Sequence, residues 1–76
     1  RQPVRVAVVF TPGRGIRPVW FDWRRKKHTV REITYTWLEK AGDVTLLHFA
    51  VADGEALYDL VYDTREQSWM LHGVEV

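Results

Sequence analysis

The chain has 76 residues, 46% of them hydrophobic, with four Trp, three Tyr, three Phe and no cysteine. This bounds it to one domain near the lower size limit for a core-only fold, too rich in aromatics for disorder and without the thiols needed for disulfides or a thiolate zinc site. The formal net charge of +1 conceals two opposed halves: residues 1–31 carry nine Lys and Arg against one acid, Asp22, whereas residues 32–76 carry two cations, Lys40 and Arg65, against nine acids.

Apolar runs of about seven to ten residues recur between turn signals, alternating or β-branched and without a helical period, which is the pattern of an all-β chain. The first, Val4 to Thr11, is ended by Thr11-Pro12-Gly13-Arg14-Gly15, where proline removes a ladder donor and glycine accepts positive φ. The second, Arg17 to Trp23, stops at the cationic cluster Arg24-Arg25-Lys26-Lys27. The third extends from Thr29 to about Glu39, and its phase slips between Val30 and Ile33, which predicts a bulge near Arg31-Glu32. The fourth spans Val44 to Val51 and leads into Asp53-Gly54, the clearest hairpin signal in the chain. The fifth is Leu57 to Asp63, and the sixth runs from Ser68 to Val76.

Alternation then assigns an inner face: Val19, Phe21 and Trp23; Ile33, Tyr35 and Trp37; Leu47, Phe49 and Val51; Tyr58, Leu60 and Tyr62; Trp69 and Leu71. The last strand either leaves the core after Leu71 or shifts phase at Gly73 and brings in Val74 and Val76. A flat sheet would leave that face bare, so the expected fold is an antiparallel meander of about six short strands curled into a small, partly open barrel over residues 1–76. The succession Pro18-Val19-Trp20-Phe21-Asp22-Trp23-Arg24, Val30-x-x-Ile33-x-x-x-Trp37, His48-Phe49-x-Val51, Tyr58-x-Leu60-x-Tyr62 and Trp69-x-Leu71 resembles small bacterial domains of unknown function. That resemblance implies a small β domain of SH3-like or related barrel architecture, with no catalytic residues to carry over.

The chemistry-bearing patterns are few. The cluster Arg24, Arg25, Lys26 and Lys27, supported by Arg14, Arg17 and Arg31, is the candidate surface for nucleic acid or another polyanion, because such cations neutralise phosphates and release counterions. Trp20, on the face opposite Phe21 and Trp23, is the candidate platform on which an unpaired base would stack. Closure of the barrel would set the first strand against the last or the fifth and bring Arg5 near Glu75 or Asp59, a partial cancellation of the two charged halves. His28, His48 and His72 lack close ligand spacing, and His48 and His72 fall on the outer face as exposed strand residues, so neither a metal site nor any cofactor is expected. Asp53, Glu55, Asp59 and Asp63 read as a solvated acidic face, Gly13-Arg14-Gly15 as a plain turn, and Ser68 as a serine with no nucleophile elbow around it.

The expected function is therefore binding, not catalysis. The alternative to polyanion binding is a protein-interaction module that uses Val4 to Phe10 as an edge strand, or exposed Trp20 and Met70, to meet a partner or a second copy. No apolar run reaches the roughly 18 residues of a membrane span. A cytoplasmic domain with no membrane partner is expected, and the start at Arg1 is read as that of a piece of a longer protein.

Overall fold

The computed structural model describes residues 2–76. Seven strands form one antiparallel sheet: β1 (Gln2–Thr11), β2 (Gly15–Trp23), β3 (Lys26–Thr29), β4 (Glu32–Ala41), β5 (Val44–Ala52), β6 (Leu57–Asp63) and β7 (Ser68–Glu75), in the spatial order β3-β2-β1-β7-β6-β5-β4. The sheet curls into a half-barrel, as the bare inner face requires. The seventh strand comes from the expected cationic turn, since β3 is built from Lys26, Lys27 and His28 and takes only Thr29 from the third apolar run. Lys26–Thr29 folds back on β2, pairing Phe21 with His28, and Val30-Arg31 separates it from β4.

That separation sets the architecture, because β3 and β4 are the two ends of the sheet. The Val30 amide donates to the Val19 carbonyl (3.0 Å), extending the β2 side, and the next amide, Arg31, donates to Ala52 (2.8 Å), extending the β5 side. Two residues thus carry the chain from one edge of the sheet to the other and close the barrel at a corner. In place of the bulge expected near Arg31-Glu32 the strand is interrupted at Val30-Arg31, and the register shift inside β4 falls later, between Ile33 and Tyr35.

The later shift inverts the expected faces of β4. Ile33 packs against the core, but Tyr35, opposite Ala50, and Trp37, opposite His48, turn to the outer side, with Tyr35 65% exposed. A second shift, between Ala7 and Val8, passes over Val19 on β2, so that Pro18 opposes Val8 and joins the fully buried side chains. In β7 the phase moves at His72, one residue before Gly73. Leu71 faces Leu60 and Val74 then faces Tyr58, while Val76 lies beyond the strand, fully exposed.

The core is Phe21, Phe49, Val51, Tyr58, Leu60, Trp69 and Leu71, flanked by Val4, Val6, Ile16, Trp23, Leu47 and Tyr62. Burial of these side chains, at about 1.5–3 kcal/mol each when complete, is the main stabilising term. β1 is not an edge strand, since it lies between β2 and β7. Its pairing with β7 covers Gln2 to Val4, however, and from Val6 to Phe10 it is bonded to β2 alone. The β1–β2 hairpin therefore projects past the rest of the sheet, with Phe10 70% exposed near its tip.

Candidate nucleic-acid interface

The β2–β3 connection is a two-residue turn, Arg24-Arg25, and both residues sit at positive φ, 53° and 62°. Tight hairpins favour that pair of left-handed conformations because its twist matches the strands, but Asn-Gly ordinarily supplies it. Two arginines there cost on the order of 1 kcal/mol each in backbone strain. Arg24 recovers part of this by laying its guanidinium over the Trp23 ring, 4.4 Å from the centroid. The Trp23 Nε1–H is buried and meets no acceptor among the described residues.

On the outer face of the same hairpin, Arg5, Asp22 and Lys27 stand in one row across β1, β2 and β3, because Asp22 is the register partner of both cations. Asp22 takes Arg5 as its ion pair at 2.8 Å, within the basic half itself. The expected approach of Arg5 to Glu75 or Asp59 does not occur, although β1 does pair with the last strand. Trp20 lies in the next row, with Lys27 Nζ 5.0 Å and the Arg5 guanidinium 5.6 Å from its ring centroid. Its indole is half-buried and engaged by two cations, so a base stacking there would have to displace one of them.

Among the described residues, Arg14, Arg17, Arg24, Arg25, Lys26, Lys27 and Arg31 form no ion pair. Folding therefore preserves the charge segregation. It does not gather all the expected site residues. Arg24 to Lys27 cluster with Trp20 at one end of β2, whereas Arg14 and Arg17 lie at the other, Arg17 being seven positions, roughly 23 Å of strand, before Arg24. Arg14 and Arg17 line the open mouth of the half-barrel, and Arg31 lies at the corner with its side chain 3.3 Å from the position a Cβ on Gly54 would take.

Sequence reasoning missed two histidine networks. His28 is turned inward, stacked on Phe21 at 5.1 Å, with Nδ1 3.0 Å from Asp53 Oδ2 and Nε2 3.3 Å from the Trp23 carbonyl. Both ring nitrogens thus face acceptors. The Tyr58 hydroxyl donates to the same Asp53 oxygen at 2.8 Å, and the other Asp53 oxygen accepts the amides of Glu55 and Ala56. Burial alone would raise the Asp53 carboxyl, but the donors from His28, the two amides and Tyr58 outweigh it and hold it well below the usual carboxylate range. Burial, then the hydrogen bond to Asp53 and the charges of Asp53 and Glu55, push the Tyr58 phenol up to about 12. The network ties β3 to the β5–β6 turn across the closing corner.

His48, expected to be exposed, is 5% exposed on the outer face. Trp37 stacks on it at 4.5 Å, and its Nε2 and Nδ1 meet Glu39 at 2.7 Å and Asp59 at 3.3 Å. The acids are not a free solvated face either, since Asp63 accepts the amides of Arg65 and Glu66 just as Asp53 caps its own turn. No group of His, Asp and Glu among the described residues could hold a metal ion, and no helix there is long and apolar enough to cross a membrane. The one sequence signal for Asp53 was its place before Gly54; nothing in spacing pointed to its partner twenty-five residues upstream.

No family model, curated protein or solved structure matches this chain.

Proposed function

We propose that this is a non-enzymatic binding domain whose β2–β3 hairpin engages a polyanion, nucleic acid first among them, through Arg24, Arg25, Lys26 and Lys27. The observation that carries the reading is the turn itself: two unpaired arginines held at positive φ where a neutral turn pair would be less strained. The turn thus presents two guanidinium groups to solvent at a cost in backbone strain. Lys27 and Arg5 over Trp20 hold further cations in fixed positions beside it. Arg14, Arg17 and Arg31 widen the basic side of the molecule without belonging to the same contact surface, and they would steer a polyanion more than grip it. The same proposal places the domain in a reducing, cytoplasmic compartment, on the ground that the chain holds no cysteine, and among the small bacterial domains its aromatic spacing resembles.

The test is an NMR titration of labelled protein with short single- and double-stranded oligonucleotides at about 50 and about 200 mM salt. Four phosphate contacts give a salt slope of about −3 to −4, so affinity should fall about 50- to 150-fold over that range. Shifts are expected at Arg24 to Lys27 and at the Trp20 indole. Their absence at the lower salt would end this reading.

A further inference from the structure

The half-barrel is fastened at the Val30-Arg31 corner and open at the other end of the same seam. There β2 and β4 run past each other without pairing, and one cleft of about 430 Å³ touches Gly15, Ile16 and Arg17 on one side and Ile33 and Thr36 on the other, with Phe49 as its floor. A neighbouring cleft of about 420 Å³ continues it along Leu38 and Leu47. β4 is a terminal strand, so its outward N–H and C=O groups have no strand partner, and Leu38 beside the cleft is 66% exposed.

We propose that this mouth is a strand-accepting slot, filled in the working protein by an extended segment of a partner protein that alternates apolar side chains with carboxylates. The alternation follows from the walls. Ile16, Thr36 and Leu38 face inward with Phe49, so every second side chain of the guest would enter an apolar cleft. Arg17 is the outward neighbour of Ile16, and Arg14 stands in the turn at the end of β2. Among the described residues, Arg14 and Arg17 are the only Lys, Arg, Asp or Glu lining either cleft, and neither forms an ion pair there. A guest's outward positions therefore meet the positive charge of Arg14 and Arg17, while Glu39, the acid on the outer face of β4 beyond Leu38, is already held by His48 at 2.7 Å.

The slot also fixes the form of the guest. It lies between two strands, so it admits a single strand free on both sides, and the edge of a second copy, already bonded to its own sheet, does not fit. The six residues from Ile33 to Leu38 correspond to about 20 Å of strand. Main-chain bonds to β4 and burial of the alternate apolar side chains would supply affinity, as in other strand additions, and the two arginines the preference for carboxylates.

The test uses a capped nine-residue peptide alternating valine with glutamate, and its counterpart with lysine in place of glutamate, followed by amide shifts and hydrogen exchange. The glutamate peptide should slow exchange along Ile33 to Leu38 and bind at least about tenfold more tightly than the lysine peptide. Leu38→Asp should weaken it about tenfold, and Arg14→Glu with Arg17→Glu should reverse the preference between the two peptides. Equal affinity for both peptides, no change on β4, or shifts confined to Arg24 to Lys27 would each overturn the proposal. So would protection of β4 that rises with protein concentration when no peptide is present, which would make the occupant a second copy.

Discussion

Asp53 illustrates how much one side chain does in a domain this small. Its carboxylate takes donors from His28, Tyr58 and two turn amides, while its own burial opposes the charge. Asp53→Ala should cost about 3–5 kcal/mol, since it strands buried partners, and urea denaturation at neutral pH measures that directly. The folded chain binds the Asp53 proton more weakly than the unfolded chain, whose ordinary value is 3.8. Its stabilisation is therefore complete above that value and is lost as the pH falls below it. Denaturation midpoints of the parent should drop on acidification between about pH 5 and pH 2, and Asp53→Asn should flatten that drop; an unchanged slope would mean other carboxylates carry it. At the next residue, Gly54 has φ 98° and faces Arg31, so Gly54→Ala should destabilise by about 1–3 kcal/mol, lowering Tm by about 4–8 °C for each kcal/mol. The Asp53-Gly54 turn was legible from the pair itself. The clasp it makes with His28 was not, because a contact between a β3 residue and the β5–β6 turn depends on which two strands end the sheet.

Among the elements, the β2–β3 hairpin joins stability and function in opposite senses. Arg24→Asn with Arg25→Gly relieves two left-handed arginines and loses one contact with Trp23 of about 0.5–1 kcal/mol, so thermal unfolding should show a gain of about 1 kcal/mol or more. The same variant should reduce the oligonucleotide salt slope by about 1.4 to 1.8. A gain in stability without a loss of binding would separate the strain from the function. Alternation read the inner faces of β5 and β6 correctly, since the ladder that pairs Phe49 with Leu60 and Val51 with Tyr58 is unbroken. It failed at Tyr35 and Trp37 and at Val19, and it left the course beyond Leu71 open; in each case a register shift intervenes. One inserted residue moves every later side chain to the other face, and nothing in composition marks where the insertion falls. On β4, Leu38→Asp should change stability by less than about 0.5 kcal/mol, since its side chain is largely in solvent; this makes it a clean probe of the slot.

For the whole molecule, the expected curled antiparallel sheet and its single core were recoverable from the spacing of aromatics such as Phe21, Phe49 and Trp69. What spacing could not supply was the circular order of the strands, in which β3 and β4, consecutive along the chain, lie at opposite ends of the sheet. That order leaves the basic β1–β2–β3 leaf and the acidic remainder joined by the β1–β7 pairing and by the corner. Local stability should follow it. Amide exchange should be slowest in β5 and β6, which are paired on both sides, and fastest at the projecting hairpin from Val8 to Arg17. Uniform protection across all strands would contradict the picture of two unequally supported leaves. The corner itself has a mechanical consequence. Parting the strands there breaks the bonds from Val30 to Val19 and from Arg31 to Ala52, whereas spreading β2 from β4 at the far end breaks no main-chain bond at all. The domain is built as a spring clip, stiff at the hinge and compliant at the jaws. Jaws that widen at so little cost would sort what they hold by backbone and charge, and hardly by the bulk of its side chains.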